Sequence, residues 1–251
     1  MGWKTTYKSL KLKITKAFLV KPIHVFVFHH VSDTRDPLIS GEKDWTQTCV
    51  FFSNIRKLKT KYQFISLESA YAKIKSKRIR WRNYAVLTTD DGLQTVPHIF
   101  PWLEKQGISL TCFINAKYMD GHSYKENDAI RIKREDMLAD VNEVIKKQYM
   151  SMNQVFSLVS PLISIASHGY EHIDATSLTE AEFKDNIERC VSIISKHPRY
   201  IPFHAYAWGK HSKNTDSILA ELGLIPVLVD NQINLNDPSI IHRECIDGIE
   251  L

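Results

Sequence analysis

Short apolar runs alternate along the chain with longer stretches in which apolar residues recur at helical spacing. The runs predict about eight strands, and the stretches predict helices between them. The predicted strands cover 23–28, 64–65, 84–89, 108–114, 162–166, 201–206, 226–229 and 239–242. The predicted helices cover 45–60, 67–76, 95–106, 134–147, 151–159, 179–195 and 214–222, with a polar loop insertion at 118–135.

The repeated strand–helix units indicate one α/β domain with a mainly parallel sheet, either open or closed into a barrel. The 251 residues are enough for one large core. In such folds, polar residues just past the carboxyl ends of the strands form the functional site. These strand ends are therefore where we expect the chemistry of this chain.

Positive charge is concentrated at the amino terminus. The net charge is +5 with His neutral, and residues 1–32 hold six lysines but no Arg, Asp or Glu. The remaining 219 residues carry 27 basic and 28 acidic side chains. Because the excess is confined to one end, the sequence does not indicate a nucleic-acid-binding protein that is basic over its whole surface.

The cysteine and apolar patterns do not indicate three further classes. Cys49, Cys112, Cys190 and Cys245 are far apart and form no C-x-x-C pair. A zinc ribbon and a disulfide framework are therefore not indicated. No run of 18 apolar residues occurs, so no membrane-spanning helix is predicted.

Residues 1–22 form a basic amphipathic segment. It predicts either a helix lying on an anionic membrane surface or, as the commoner case, a surface helix docked on the domain. Its longest apolar run is too short for a signal peptide, which favours a cytoplasmic location, with peripheral membrane contact under the first alternative. The apolar residues at helical spacing are Trp3, Tyr7, Leu10, Ile14 and Phe18.

A second basic stretch precedes the predicted strand 84–89. It could contact a phosphate or an acidic glycan, although a solvated face is the commoner explanation. Its members are Lys73, Lys75, Lys77, Arg78, Arg80 and Arg82.

Adjacent carboxylates follow the apolar strand 84–89. Asp90 and Asp91 would repel each other unless a cation or a proton separates their charges. Neighbouring side chains cannot point the same way, so one could bind a metal while the other addresses substrate. The alternative is an ordinary Asp-Gly turn at Asp91-Gly92.

Two histidines follow the predicted strand 162–166. His168 and His172 are four residues apart, so on a helical turn they lie on one face and can share a metal. Two imidazoles and one carboxylate make a set with open positions, for which zinc is the first choice and iron or cobalt also suit. The alternative is that each histidine satisfies local hydrogen bonds.

Two more strand ends carry candidate groups. Residues 203–211 are rich in aromatic side chains, whose flat apolar faces suit sugars, although core aromatics beside a loop are the alternative. His29 and His30 end the first predicted strand. One of them could act as a general acid, or both could be ordinary histidines at a strand end.

Together these segments resemble the NodB-homology polysaccharide deacetylases, also called carbohydrate esterase family four. Leu87–Gly92 is similar to the T-F-D-D-G motif of that family, and His168–His172 to its H-[ST]-x-x-H motif. Ala205–Gly209 is similar to F-x-Y-P-x-G, and Val27–Val31 to the Y-H-x-V start of the branch containing poly-N-acetylglucosamine deacetylases. The resemblance implies that residues 23–251 form one distorted (β/α) barrel of about seven to eight mostly parallel strands.

The resemblance also implies roles. It makes Asp90 the base and His29 the general acid. The metal ligands would be Asp91, His168 and His172, holding one divalent ion, with zinc first and cobalt, iron or nickel as alternatives. The oxyanion and substrate-binding residues would be Tyr206, Trp208 and Gly209, with the backbone N–H near Trp208 as the oxyanion donor.

The implied reaction is removal of the N-acetyl group from an amino sugar in a polysaccharide, oligosaccharide or lipid-linked glycan of the cell envelope. Departures from the motifs affect neither a ligand nor the base: Thr89 replaces Phe, Gly169 replaces Ser or Thr, Ala207 replaces Pro and Trp208 replaces Tyr. Two alternatives stay open, the first because of these departures and the second because it uses the same chemistry. One is a non-catalytic carbohydrate-binding protein on the same fold, and the other is a hydrolase of small amides or imides.

Overall fold

Seven parallel strands close into a barrel in this computed structural model, which describes residues 20–34, 45–78, 80–120 and 148–251. The barrel order is β1-β10-β9-β8-β7-β6-β5, and β5 pairs back onto β1. The strands are β1 Ile23–Phe28, β2 His30–Ser32, β3 Trp45–Gln47, β4 Gln63–Phe64, β5 Tyr84–Thr89, β6 Leu110–Ile114, β7 Ile163–Ser167, β8 Tyr200–Ala205, β9 Ile225–Val229 and β10 Ile241–Cys245.

Helices follow most of the barrel strands, as the strand–helix pattern predicts. The described α-helices are α1 Thr48–Lys61, α2 Leu67–Lys75, α3 Thr95–Lys105, α4 Met152–Ser157, α5 Glu180–Ile194 and α6 Lys213–Glu221. Short 3-10 turns cover Ala116–Asp120, Ala175–Ser177 and Ala207–Gly209. The prediction of a single α/β domain built as a mostly parallel barrel is confirmed.

Alternate residues of the strands pack into two different apolar clusters. Phe26 and Leu87 belong to a cluster that includes side chains of α1, α3 and α5, on the outside of the barrel. Val25 and Val86 belong to a second cluster, against which α2 packs. Both faces of the barrel strands are therefore covered, and every residue of β6 and β7 is buried.

The largest difference from the predicted elements concerns the last strand. It was expected at 239–242 but covers Ile241–Cys245, paired to β9 and β1. This shift brings Asp247 to just past a strand end. Two differences are smaller. Strand β3 pairs with β2 where a helix start was predicted. Strand β6 starts at Leu110, two residues later than predicted, after a turn in which Gly107 has φ +68.

Several predictions lie outside the described residues. They are the amphipathic stripe of residues 3–18, most of the loop insertion 118–135 and the helix 134–147. Of the predicted segment 1–22, the structure describes residues 20–22, where Val20 bridges to Arg80. The division of the chain at residue 22 stays a prediction. Among the described helices, none is long and apolar enough to cross a membrane.

Candidate active site

The candidate residues meet at one end of the barrel because parallel strands bring their carboxyl ends to the same edge. His29 follows β1, Asp90 and Asp91 follow β5, and His168 follows β7. His172 lies in the loop after His168. All five side chains that were predicted to bind metal or transfer protons are thus brought to the same edge.

Asp91, His168 and His172 form a compact triad. The Oδ1 atom of Asp91 lies 3.4 Å from Nε2 of His168 and 3.6 Å from Nε2 of His172. Ligands of a tetrahedral zinc ion are about 3.3 Å apart, given bonds of about 2.0–2.1 Å. The Oδ1 atom is also buried without a hydrogen-bond partner. The three side chains therefore fit a divalent cation, which would satisfy this oxygen.

The protonation of the triad favours metal binding. Nδ1 of His168 donates to the carbonyl oxygen of Ala205 at 2.7 Å, which leaves the Nε2 lone pair directed toward Asp91. Burial alone would raise the pKa of Asp91, but its interactions with the nearby imidazoles of His168 and His172 lower it well below its usual range. The carboxylate is therefore ionised, as a metal ligand must be.

Asp90 does not belong to the triad but faces Arg243. The guanidinium donates two hydrogen bonds to the carboxylate, at 2.6 and 2.7 Å, and both side chains are almost completely buried. Burial would raise the pKa of Asp90, but the Arg243 charge holds it below its ordinary value. Oδ2 of Asp90 lies 3.9 Å from Nε2 of both His29 and His168. An ionised carboxylate thus stands between the two histidines.

His29 is held by Asp247. Its Nδ1 atom lies 2.5 Å from Oδ2 of Asp247, and its backbone N–H donates to Oδ1 of the same carboxylate at 2.9 Å. Burial alone would lower the pKa of His29, but the Asp247 carboxylate raises it well above its ordinary value. The ring is therefore protonated at neutral pH, with Nε2 facing Asp90.

The third motif forms a strained turn at the rim of the site. Trp208 has φ +54 and Gly209 has φ +67. A Cβ at Gly209 would lie 2.8 Å from the carbonyl oxygen of Val229, so only glycine fits there. The exposed Trp208 ring stands edge-on to His172, with ring centroids 4.4 Å apart. Trp208 is therefore available to a ligand beside the triad.

Tyr206 has a different environment from the one expected of a substrate-binding residue. It is buried at 1% exposure, its hydroxyl donates to Asp216 at 3.0 Å, and its ring stacks on Phe183. A side chain without exposed surface cannot touch a glycan directly. The structure gives Tyr206 a supporting position under the loop, and the exposed aromatic surface is that of Trp208.

Comparison with known proteins gives the same family as the motifs. The sequence profile described as polysaccharide deacetylase matches residues 78–227, which is more than half of the chain. The chain belongs to the polysaccharide deacetylase family. Family membership implies an enzyme that removes acetyl groups from carbohydrate. A search of curated protein sequences finds no match.

Solved deacetylase structures share the fold at low sequence identity. IcaB from Ammonifex degensii is 18% identical with a TM-score of 0.68, over 90% of this chain and 92% of that chain. The Streptococcus pyogenes deacetylase PplD, solved with acetate, is 16% identical with a TM-score of 0.71, over 91% and 93%. A de-N-acetylase from Aggregatibacter actinomycetemcomitans is 15% identical with a TM-score of 0.70, over 90% and 95%.

Gly169 stands where the family motif has the hydroxyl of Ser or Thr, and in this deacetylase other contacts stabilise the loop that carries both histidines. The backbone N–H of Gly169 donates to Oγ of Ser167 at 3.2 Å, and that of Tyr170 donates to the side chain of Asn186 at 2.9 Å. Nδ2 of Asn115 donates to the carbonyl oxygen of His168 at 2.7 Å. Gly169 itself has φ +86, and a Cβ there would lie 2.5 Å from Oδ1 of Asn186. The departure from the motif is therefore compensated.

Sequence reasoning missed four residues of this deacetylase site: Asn115, Asn186, Arg243 and Asp247. Asn115 lies just past β6, whose end was predicted correctly, so the rule that polar residues follow strand ends points to it. Asp247 follows β10, which ends three residues beyond its predicted end, so the same rule does not reach it from the sequence. Arg243 lies within β10 and Asn186 within α5. No signal in the sequence alone distinguishes these two from other polar residues.

Proposed function

We propose that this chain is a metal-dependent hydrolase that removes the N-acetyl group from an amino sugar in a polysaccharide, oligosaccharide or lipid-linked glycan. One observation carries the proposal. The Asp90 carboxylate lies between a three-ligand set for a divalent cation and the imidazole of His29. These are the three parts with which a metal-dependent hydrolase splits an amide: a bound cation as Lewis acid, a general base and a general acid.

Asp91, His168 and His172 would hold the ion, with zinc as the first expectation and cobalt, iron or nickel as alternatives. When bound, such an ion supplies Lewis acidity that polarises an acetyl carbonyl and makes a water molecule easier to deprotonate. The set includes no sulfur and leaves coordination positions for water and substrate. The fixed Nδ1–H of His168 keeps its other nitrogen available as a ligand.

Two proton transfers fall to this chain's own residues. Asp90 accepts a proton from the attacking water, and the water oxygen becomes bonded to the acetyl carbon. His29 then gives its Nε2 proton to the sugar nitrogen as the carbon–nitrogen bond breaks, which yields acetate and a free amine. Arg243 keeps the base ionised, while Asp247 keeps the acid protonated.

The rim of the site has the features of a sugar-binding surface. The Trp208 ring offers an exposed flat face beside the triad, on which the apolar face of a pyranose could stack. The backbone N–H of Trp208 would serve as the oxyanion donor. The left-handed turn at Trp208 and Gly209 would direct it away from the hydrogen bonds between β8 and its neighbouring strands. Tyr206 would not contact the sugar and would affect its binding only by supporting the position of this turn.

A screen for acetate release tests the proposal. The chain is loaded with zinc or cobalt and incubated with N-acetylglucosamine oligomers and lipid-linked N-acetylated sugars, and acetate and free amine are measured together. We expect both products in equal amounts. Glycan binding without acetate would favour the carbohydrate-binding alternative, and acetate or ammonia release only from simple amides or imides would favour the small-molecule hydrolase.

For location, we propose peripheral contact with an anionic membrane through the amino-terminal segment and the end of the barrel opposite the site. Support comes from a cavity of about 450 Å³ at that end, bordered by Arg78, Arg80 and Arg82 and by Trp81, which is 67% exposed. Cations beside an exposed Trp suit a lipid headgroup region. Val20, the first described residue, bridges to Arg80 at the same end of the barrel. The cytoplasmic location stays a prediction.

A further inference from the structure

A second cluster of metal-ligand atoms lies behind the general acid, on the far side of the His29 ring from Asp90. Nδ1 of His29 is 2.5 Å from Oδ2 of Asp247, and Sγ of Cys245 is 3.3 Å from the same oxygen. The three ligand atoms lie within 4.8 Å of one another. We propose that His29, Cys245 and Asp247 form a second metal site, whose occupation inhibits the enzyme.

The donor atoms select the class of ion. A thiolate, an imidazole and a carboxylate are the ligands that zinc prefers, and the sulfur favours zinc, cobalt or nickel over magnesium, calcium or manganese. Charge also balances: two anionic ligands neutralise a divalent ion next to a neutral imidazole. The site shares no residue with the triad of Asp91, His168 and His172, which has no sulfur.

The cluster needs little rearrangement to close around an ion. The nitrogen–oxygen distance of 2.5 Å would have to widen to about 3.3 Å, the spacing of two ligands on one zinc ion. The His29 and Cys245 side chains are partly exposed, so an ion and a completing water molecule can reach them. Binding releases the thiol proton and the proton shared by His29 and Asp247.

The imidazole of His29 contacts both clusters, and metal binding at the second cluster should therefore inhibit the deacetylase reaction. Nδ1 of His29 belongs to the second cluster, while Nε2 faces Oδ2 of Asp90 at 3.9 Å. A ring that binds metal through Nδ1 can no longer be an imidazolium. Its Nε2–H could leave only by forming an imidazolate, which makes it a much weaker acid toward the leaving amine. The inhibitory effect rests on the proposed function, whereas the binding itself does not.

Cobalt titration tests the binding directly. Full-length chain in a non-thiol reductant is titrated with Co²⁺, and the thiolate-to-cobalt charge-transfer absorption and the bound metal per chain are recorded. We expect about two ions per chain and a charge-transfer band that appears with the second equivalent, because the first, triad-type set contains no sulfur. Cys245→Ser should bind about one ion and lack the band. The matched control is Cys49→Ser, which removes an exposed cysteine on α1 and should behave like wild type.

Activity then gives the second readout. Each variant is assayed for acetate release at one equivalent of zinc and in excess zinc, and the ratio of the two rates is compared. Wild type and Cys49→Ser should be inhibited by excess zinc but not by excess Mg²⁺, and Cys245→Ser should escape that inhibition. One bound ion without a charge-transfer band, or a band lost only in Cys49→Ser, would overturn the second site. A band that depends on Cys245 in a chain that releases no acetate from any substrate would instead count against the proposed function alone.

Discussion

At the scale of single residues, two charged partners set opposite protonation states on neighbouring groups. Arg243 lowers the pKa of Asp90, and Asp247 raises the pKa of His29, although burial acts against both effects. The Nε2 atom of His29 and Oδ2 of Asp90 are only 3.9 Å apart. A base that is ionised and an acid that is protonated can therefore coexist at neutral pH, which an uncharged environment would not allow.

The pH profile of the reaction should depend on Asp247. His29 must be protonated to act as an acid, so its raised pKa keeps the enzyme active to higher pH. Asp247→Asn removes the negative charge, and its amide oxygen can accept only one of the two hydrogen bonds that His29 donates to the carboxylate, so the pKa of His29 falls. We expect the alkaline limb of kcat/KM to move to lower pH by about 1 unit or more, measured as acetate release across pH.

The other titratable groups near His29 provide the control. Asp90, Asp91 and Cys245 also face this histidine, so Cys245→Ser is measured in parallel at limiting zinc. It should leave the alkaline limb close to that of wild type. An unchanged alkaline limb in Asp247→Asn would show that another group sets the acid.

The motif residues could be predicted from the sequence, but their charge partners could not. Asp90, Asp91, His168 and His172 stand in short patterns whose spacing carries chemical meaning. Arg243 is 153 residues from Asp90 along the chain, and the two meet only because β10 and β5 both flank β1. Pairing of this kind is a property of the closed barrel rather than of any local pattern.

At the scale of elements, the loop between β7 and α5 holds both histidines of the proposed metal site and owes its shape to Gly169. Its neighbours are the side chain of Asn186 on α5 and the backbone of Glu171. The structure thus replaces one motif hydroxyl with contacts to Ser167, Asn115 and Asn186. These supporting contacts are what should keep the ligand spacing within reach of one ion.

Gly169→Ala should weaken metal binding. A Cβ at this position would lie 2.5 Å from Oδ1 of Asn186 and would displace the loop. We expect a loss of about 10- to 100-fold in zinc affinity, the usual effect of disturbing a contact that orients a metal ligand, measured by competition with a chelating dye.

Gly107→Ala is the matched control for that variant. Gly107 also has positive φ, but a Cβ there meets nothing within 4 Å. It should lose about 1–2 kcal/mol of stability through the left-handed backbone alone and keep its zinc affinity. Equal zinc affinities in the two variants would contradict the role assigned to the loop.

A buried histidine should make the stability of the barrel depend on pH. Nε2 of His197 donates to the carbonyl oxygen of Val155 on α4, and its Nδ1 accepts the backbone N–H of Arg199, so the neutral ring has no room for a second proton. Burial accordingly lowers its pKa. Below a pH of about 6.5, His197 therefore binds more protons in the unfolded chain than in the folded one, and its contribution to stability falls as the pH falls.

His197→Gln removes this titration while keeping a donor and an acceptor. The stability advantage of wild type over the variant should shrink between pH 7 and pH 5, by at most about 1.4 kcal/mol per pH unit below the unfolded pKa. Urea unfolding of both metal-free proteins at several pH values measures the difference. Parallel stability curves would contradict the assignment, since other titrating groups contribute equally to both proteins.

Most elements could be predicted from the sequence because apolar periodicity reports burial directly. Strand β5 was expected and is observed at 84–89, and its buried run is closed by Asp90. The last strand was misplaced because its apolar run is interrupted by His242, Arg243 and Glu244, whose side chains pair with Asp230, Asp90 and His24. A strand whose polar side chains are hydrogen-bonded inside the fold shows no continuous apolar run in the sequence, so apolar periodicity does not detect it.

At the scale of the whole molecule, the two ends of the barrel carry different chemistry. The proposed proton-transfer groups lie at the carboxyl ends of the strands, and the basic residues around Trp81 lie at the opposite ends, near Tyr84 and Val20. A membrane bound at the second end would leave the site facing away from the lipid. The glycan would then approach from the aqueous side.

Vesicle sedimentation tests this arrangement. Full-length chain should bind vesicles containing anionic lipid and not neutral ones. Arg78→Gln should weaken binding about fivefold, since each cation near an anionic surface contributes about 1 kcal/mol, and deletion of residues 1–19 should weaken it further. Lys184→Gln, on α5, is the matched control and should bind as wild type does. Absence of binding by the full chain would contradict membrane contact.

The central claim is that Asp90 is the base of a metal-dependent deacetylase, and the most direct test is acetate release by Asp90→Asn. The amide can still accept a hydrogen bond from Arg243 but cannot take a proton, so we expect turnover to fall by about 10²- to 10⁴-fold. Zinc content and a cooperative unfolding transition, measured on the same sample, should show that the triad and the fold persist despite the lost charge pair. Turnover close to that of wild type on an N-acetylated glucosamine oligomer, with zinc bound, would contradict the claim.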